Sequence, residues 1–410
     1  MMPMKTKLLL ALIPATVLAS CTSEPEKPDI IYISIEDMKP DLGCYGHPVV
    51  YSPRLDEFAN DAVMFLDAHC QVALCTPSRT SILTGIRPST SGIVTIDDPW
   101  MEMLPEAVSL PRHLRDHGYV TILAGKIHDY RCGGMDSAYV LEFGIHGVHD
   151  NRLPLQALKV AAEQQQPFFL AIGYSQVHLP WNPTEASKRY YDPDDMIVAN
   201  RGKDFRGKTL TDEELRLKMR GYYACITDVD SLIGVLLDSV RAMGLYDRSI
   251  IIIGALDHGF SLGFHDHWGK GNNFDGETMV PLMIRLPGNE ASGSATEGIV
   301  ELVDVYPTLV DLCGLPQPHQ QLEGYSLRGL LEDPGREWKK AAFTHRAYHV
   351  RDRGMKTKEY TLILREGEEP QLYDRKADPD NLVNIASMHP DMVEALTEML
   401  ASGWRNAKPE

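Results

Sequence analysis

The stretch Cys75-Thr76-Pro77-Ser78-Arg79, followed by Leu83-Thr84-Gly85, sets a thiol four residues ahead of a guanidinium. Thr76 is the expected N-cap of a helix and Pro77 its first residue, which puts Cys75 just ahead of the positive end of a helix dipole. Four-residue spacing places Cys75 and Arg79 on one helix face, where a tetrahedral oxyanion fits between them. This is the chemistry of an anion site with a nucleophile precursor at its edge. A second set, Glu36, Asp37 and Asp257, offers hard oxygen ligands, which suit Ca²⁺ or Mg²⁺ rather than a thiolate-seeking metal.

Short apolar runs must deliver these groups. Residues 29–35, 120–124, 168–173 and 250–255 read as strands buried on both faces of a parallel sheet. Each run ends in polar groups: Glu36-Asp37 after the first, Lys126 and His128 after the second, Gln176 and His178 after the third, Asp257-His258 after the fourth. Open α/β sheets bind ligands at such strand ends, so four of them are expected to converge on one site. Between the last two runs, Thr211 and Glu214 form a capping box. Leu215, Met219, Tyr222, Ile226, Val229, Ile233, Leu236 and Val240 then recur at helical spacing. Strands alternating with helices predict a doubly wound α/β sheet. From about Trp338 the pattern shortens to 360–364 and 372–374 and a final helix from about Pro390, the outline of a small α+β subdomain.

The chain has 410 residues and a formal charge of −17, which argues against a nucleic-acid partner and against long polyanions. An anionic substrate must therefore meet a local cluster of cations. Lys5 and Lys7, the apolar run 8–18 and Ala19-Ser20-Cys21 read as an export signal, and Leu18-Ala19-Ser20-Cys21 resembles a lipobox in which Cys21 is lipidated. The expected organisation is a signal peptide over 1–21, a tether over 22–28, a catalytic domain over 29–335 and a C-terminal subdomain over 336–410. The protein is expected to be exported, either membrane-anchored through Cys21 or periplasmic or extracellular. Of seven cysteines, Cys44, Cys70, Cys132, Cys225 and Cys313 show no spacing that describes a disulfide framework or a zinc site.

The order Cys-x-Pro-Ser-Arg with its Leu-Thr-Gly resembles the signature of the type I, formylglycine-dependent sulfatases. Gly125-Lys126-Ile127-His128, His178-Leu179-Pro180 and Lys270 in Trp268-Gly269-Lys270 match further elements of that family, so the resemblance covers nearly the whole mature chain. It implies an alkaline-phosphatase-like doubly wound mixed sheet, and Ca²⁺, with Mg²⁺ as the alternative, held by Glu36, Asp37, residue 75, Asp257 and His258. Glu36 departs from the family's usual Asp by one methylene. Met38 to Gly46, Asp257 to Gly263 and Glu301 to Leu309 look most like the iduronate-2-sulfatase branch.

The resemblance also implies a mechanism. Cys75 is converted to formylglycine by a maturation enzyme, and its hydrate attacks sulfur while the ester oxygen leaves. The metal and Arg79 ease deprotonation of the hydrate. Lys126, His178 and Lys270 face the sulfate, with His178 and Lys270 placed to protonate the leaving oxygen, and His128 is the base that releases the sulfate. The implied substrate is a sulfated oligosaccharide of the glycosaminoglycan type with a 2-O-sulfated uronic acid. Two alternatives use the same residues: a phosphodiester or phosphonate monoester hydrolase of the same superfamily, and a lipoprotein with unconverted Cys75 that captures sulfated glycans.

Overall fold

In the computed structural model, which describes residues 27–134, 136–196, 203 and 207–409, the strand ends foreseen above belong to one mixed sheet. Its strands are β1 (Asp29–Ile35), β2 (Val63–His69), β3 (Val120–Gly125), β4 (Leu141–Glu142), β5 (Phe168–Tyr174) and β6 (Ser249–Gly254). After a two-residue hairpin, β7 (Ser261–Leu262) with β8 (Trp268–Gly269), the sheet resumes with β9 (Met279–Arg285), β10 (Ala295–Thr296) and β11 (Val300–Glu301). The order is β10-β2-β9-β6-β1-β5-β3-β4, with β11 also beside β2. β1 lies parallel between β5 and β6, whereas β9 runs antiparallel to both β2 and β6. The export signal, Cys21 and the tether up to residue 26 lie outside the described residues.

β1, β5 and β6 are buried along their whole length because helices cover both faces of the sheet. Ile30, Ile31, Ile33 and Ile35 are each 0 % exposed, and each contributes about 1.5–3 kcal/mol by leaving water. The long helix Asp212–Ala242 joins β5 to β6; the expected capping box is present, with Glu214 N–H donating to Thr211 Oγ1 and Thr211 N–H to the Glu214 carboxylate. Where β3 and β5 end, Gly125 pairs with Gly173. A Cβ on Gly173 would stand 2.1 Å from the Lys126 carbonyl, so only glycine lets the chain bearing Lys126 cross there.

A second, antiparallel sheet follows: β12 (Ala342–Arg346), β13 (His349–Lys356), β14 (Tyr360–Leu364) and β15 (Gln371–Asp374). The helix Pro390–Ser402 lays Leu396 and Leu400 against its Met355, Leu362 and Leu372. Two buried ion clusters join this sheet to the main body. Glu301 receives both terminal nitrogens of Arg87 at 2.6 Å and Lys339 at 2.7 Å. Asp275 receives Lys356 at 2.6 Å, Arg375 at 2.8 Å and the Thr361 hydroxyl at 3.0 Å. Asp275→Asn strands two buried cations, and we expect a loss of about 3–5 kcal/mol, measured as a fall in urea midpoint.

Candidate active site

The site begins where β1 stops. Glu36 N–H still donates to the Tyr174 carbonyl at 3.0 Å, which extends the pairing by one residue. The chain then turns at Asp37, whose φ of 57° lies in the left-handed region and costs about 1–2 kcal/mol for a residue with a Cβ. Tyr222, on the long helix, pins the turn: its hydroxyl donates to the Asp37 carbonyl and accepts the Lys39 N–H at 2.9 Å. Both carboxylates are thereby aimed inward, at 2 % and 1 % exposure.

Cys75 is itself the first residue of the helix Cys75–Thr84, with Leu74 at the N-cap position and no side-chain cap. The expected Thr76 cap does not form because the Thr76 hydroxyl donates to the Ile96 carbonyl at 2.7 Å. Cys75 is 1 % exposed, and burial, with the Asp257 charge beside it, pushes its thiol up to about 12. At neutral pH this sulfur is a protonated thiol and a poor nucleophile, despite its place at a helix start.

Asp37, Cys75, Asp257 and His258 bring one ligand atom each within 4.8 Å of one another, and all four are buried. His258 Nδ1 lies 2.8 Å from the Gly259 carbonyl, which fixes it as the donor and leaves Nε2 with its lone pair toward the cluster. Burial holds the His258 ring below the ordinary imidazole range, so it stays neutral. Asp257 Oδ1 is buried with no hydrogen-bond partner. Two carboxylates, one of them with an orphaned oxygen, and an oriented imidazole fit a divalent cation that takes oxygen ligands. Glu36 stands outside this foursome, in a second group with Cys75 and His178. Its carboxylate is already occupied by Lys126 Nζ and by the Ser175 hydroxyl at 2.5 Å.

The expected cations surround the same sulfur. Lys270 Nζ lies 2.5 Å from Asp37 Oδ1 and 3.5 Å from Cys75 Sγ. Arg79 gives Nη1 to the Lys126 and Ile127 carbonyls at 2.9 and 3.1 Å, and Nη2 to Asp257 at 3.0 Å. It therefore ties β3 to the Asp257 turn instead of standing free for an oxyanion. Burial opposes charge on Glu36 and Asp37, but Arg79 and Lys126 outweigh it for the first and Lys270 for the second, so both stay ionised. Three carboxylates (Glu36, Asp37, Asp257) thus stand against three cations (Arg79, Lys126, Lys270), so the surplus positive charge that an anion needs would come from a divalent cation held by the same cluster.

His178 sits at the rim, its side chain 37 % exposed, with Nδ1 donating to the Leu179 carbonyl at 2.7 Å and Nε2 4.0 Å from Asp37. His128 is 7 % exposed; no hydrogen bond ties it to Cys75, and its Nδ1 has no partner. Ser175 and Tyr222 escaped the sequence reading. Ser175 follows a strand already recognised, so its position one residue beyond the β5 end was an available signal. Nothing in the spacing of Tyr222 distinguishes it from the core residues of its helix.

Fold and site together define a sulfatase-type hydrolase. The sulfatase family model matches residues 28–315, and the model of the C-terminal region of N-sulphoglucosamine sulphohydrolase matches 263–405. The chain belongs to the sulfatase family and is an enzyme of that family. It is 29 % identical over 383 residues to iduronate 2-sulfatase of Mus musculus, covering 71 % of this chain and 69 % of that protein. Among solved structures, phosphonate monoester hydrolase of Agrobacterium radiobacter superposes with a TM-score of 0.78 at 22 % identity, over 92 % of this chain and 95 % of that one. A 2-O GAG sulfatase superposes with a TM-score of 0.74 at 18 % identity, over 94 % and 95 %. At such identities both structures bear on the fold alone.

Burial and the Arg79 charge lower His128 to about 4. The folded state thus binds fewer protons than the unfolded chain between about pH 6.5 and 4, and stability falls as pH drops through that window, by up to about 3 kcal/mol from this residue. His128→Gln, which cannot titrate, is expected to flatten this part of the pH dependence of the urea midpoint.

Proposed function

We propose that this chain removes sulfate from sulfated saccharides, with a 2-O-sulfated uronic acid of a glycosaminoglycan-type oligosaccharide as the substrate and residue 75 acting as formylglycine. One observation carries the reading: a fully buried, helix-initial cysteine enclosed by three carboxylates, three cations and an oriented imidazole, where burial pushes the thiol up to about 12. Such a thiol has no use as a nucleophile, but the same position suits an oxygen nucleophile generated from it. The likeness to a protein named iduronate 2-sulfatase supports the choice of sugar.

Asp37, residue 75, Asp257 and His258 would hold the cation, Ca²⁺ in this reading. When bound, it supplies positive charge and Lewis acidity to the oxygen on residue 75. The remaining residues act on the sulfate. Lys270 and Lys126, both kept charged against burial by the neighbouring carboxylates, neutralise its peripheral oxygens. As the sulfur–oxygen bond to the sugar breaks, Lys270 or the rim-standing His178 delivers a proton to the leaving oxygen. His128, neutral with a free nitrogen, is the base that takes a proton when sulfate is released. Arg79 positions Asp257 and the Lys126 backbone. Cys21 is the proposed lipid anchor of an exported protein; it rests on the sequence Leu18-Ala19-Ser20-Cys21.

Mass spectrometry of the peptide containing residue 75 is expected to find an aldehyde in active protein. Cys75→Ala is expected to lower kcat by at least about 10³-fold on 2-O-sulfated uronates. Full activity in that variant, or turnover of phosphodiesters in place of sulfate esters, overturns the reading. Chelation is expected to abolish turnover, with Ca²⁺ restoring it in wild type; Asp257→Ala should bind no cation and regain nothing, by elemental analysis and rate together.

A further inference from the structure

A cavity of about 310 Å³ lies on the far side of the β12–β13 ribbon, between that ribbon, the turn after Arg87 and the C-terminal Trp404-Arg405. Side chains alternate along a strand, and the alternation separates this cavity from the catalytic centre. Gly354 packs against Asn273 of the loop that carries Lys270. The next pair along the ribbon, His345 and Arg353, lines the cavity, with Phe343 and Thr344 beside His345 at its wall. Arg87 follows the helix that begins at Cys75, and ten helical residues already span about 15 Å.

On a chain carrying −17, this cavity is lined by Arg87, Arg353 and Arg405 and by no carboxylate. Arg87 is neutralised by Glu301. Arg353 is not: among the described residues its guanidinium makes no hydrogen bond or ion pair, although the residue is half-buried. Arg405 donates through Nη2 to the Gln321 side-chain oxygen at 3.2 Å, comes no nearer than 3.9 Å to the Glu323 carboxylate, and lies 4.4 Å from the Trp404 ring centroid, so neutral groups hold it in place and its charge has no close counter-ion. His345, 7 % exposed, stands 3.0 Å from the Val350 carbonyl through Nδ1, and its Nε2 has no hydrogen-bond partner among the described residues.

We propose that this cavity is a second, non-catalytic site for an anionic saccharide unit. The guanidiniums of Arg353 and Arg405 receive its sulfate or carboxylate group, and His345 Nε2 accepts from one of its hydroxyls. The volume is at the lower end of the range for small-molecule sites and suits one unit of a chain. The site rests on the proposed saccharide substrate and deepens it: a sulfated chain is held at a point remote from the bond that is cut. It is also a local exception to the repulsion that the overall charge sets up against polyanions.

The test is equilibrium binding of a sulfated tetrasaccharide whose non-reducing-end uronate carries no sulfate, together with turnover of a small monosaccharide 2-O-sulfate. Arg353→Ala is expected to weaken tetrasaccharide binding about tenfold, with a shallower salt dependence, and to leave turnover of the small ester unchanged. His345→Gln, which retains an amide acceptor, is expected to weaken it less. Unchanged affinity in Arg353→Ala, or no binding by wild type at millimolar ligand, overturns the site. Displacement of the tetrasaccharide by inorganic sulfate at equal concentration assigns the cavity to a small anion and overturns the saccharide. Tetrasaccharide binding without turnover of any sulfate ester refutes the proposed function and leaves this site standing; turnover with unaltered binding in Arg353→Ala refutes the site alone.

Discussion

Everything at the centre of this molecule depends on burying opposite charges in equal number around one sulfur. A carboxylate taken from water on its own costs several kcal/mol, and three together are tolerable only because Arg79, Lys126 and Lys270 arrive at the same place from three separate segments. Each segment is held by ordinary packing: Arg79 by a helix buried along its whole length, Lys126 by the Gly125–Gly173 crossing, Lys270 by a loop. Strand ends supply the acids and one cation, Lys126; a helix and a loop supply the other two.

The loop bearing Lys270 would have little to hold it without the second sheet. Ala347 N–H donates to the Gly271 carbonyl at 2.9 Å, Lys356 Nζ to the Asn273 carbonyl, and Asp275 N–H to Asn381 Oδ1 at 2.9 Å. From within the main body, Glu277 accepts the Asn272 N–H at 2.6 Å, while its own carbonyl accepts the Gly259 N–H at 2.8 Å, one residue past His258. The smaller sheet also reaches the nucleophile's segment, since the His345 N–H donates to the Gln71 carbonyl at 2.7 Å. It is part of the site's framework, although it contributes none of the groups around Cys75.

The parallel strands were legible because burial on both faces leaves continuous apolar runs, and the polar residues just past them followed directly. The antiparallel strand β9 and its partner β2 were not, since Met279–Arg285 carries Pro281 in its interior, which argues against a central strand, and Val63–His69 breaks its apolar run with Asp67 and His69. The role of Arg79 was half legible: the four-residue spacing to Cys75 holds, but its hydrogen bonds go to carbonyls of residues 126 and 127, a contact distant in sequence. The same limit applied to Glu36, whose carboxylate is shared between Lys126 and Ser175 across 90 and 139 positions. The cavity beside Arg353 was invisible for a like reason, because it needs residues near 87, 345, 353 and 405 in one place.

The depth at which residue 75 is buried imposes an order of events. In the finished fold 1 % of this side chain meets solvent, so the enzymatic conversion proposed for it would have to precede closure. The chain's own layout delays closure. The contact to Gln71 and the supports of the Lys270 loop come from residues 345–381, which leave the ribosome after nine-tenths of the polypeptide has been made or nearly so. Until they dock, the segment around residue 75 and the loop bearing Lys270 lack these supports. With the buttress placed last in the sequence, synthesis itself would time the conversion proposed for residue 75.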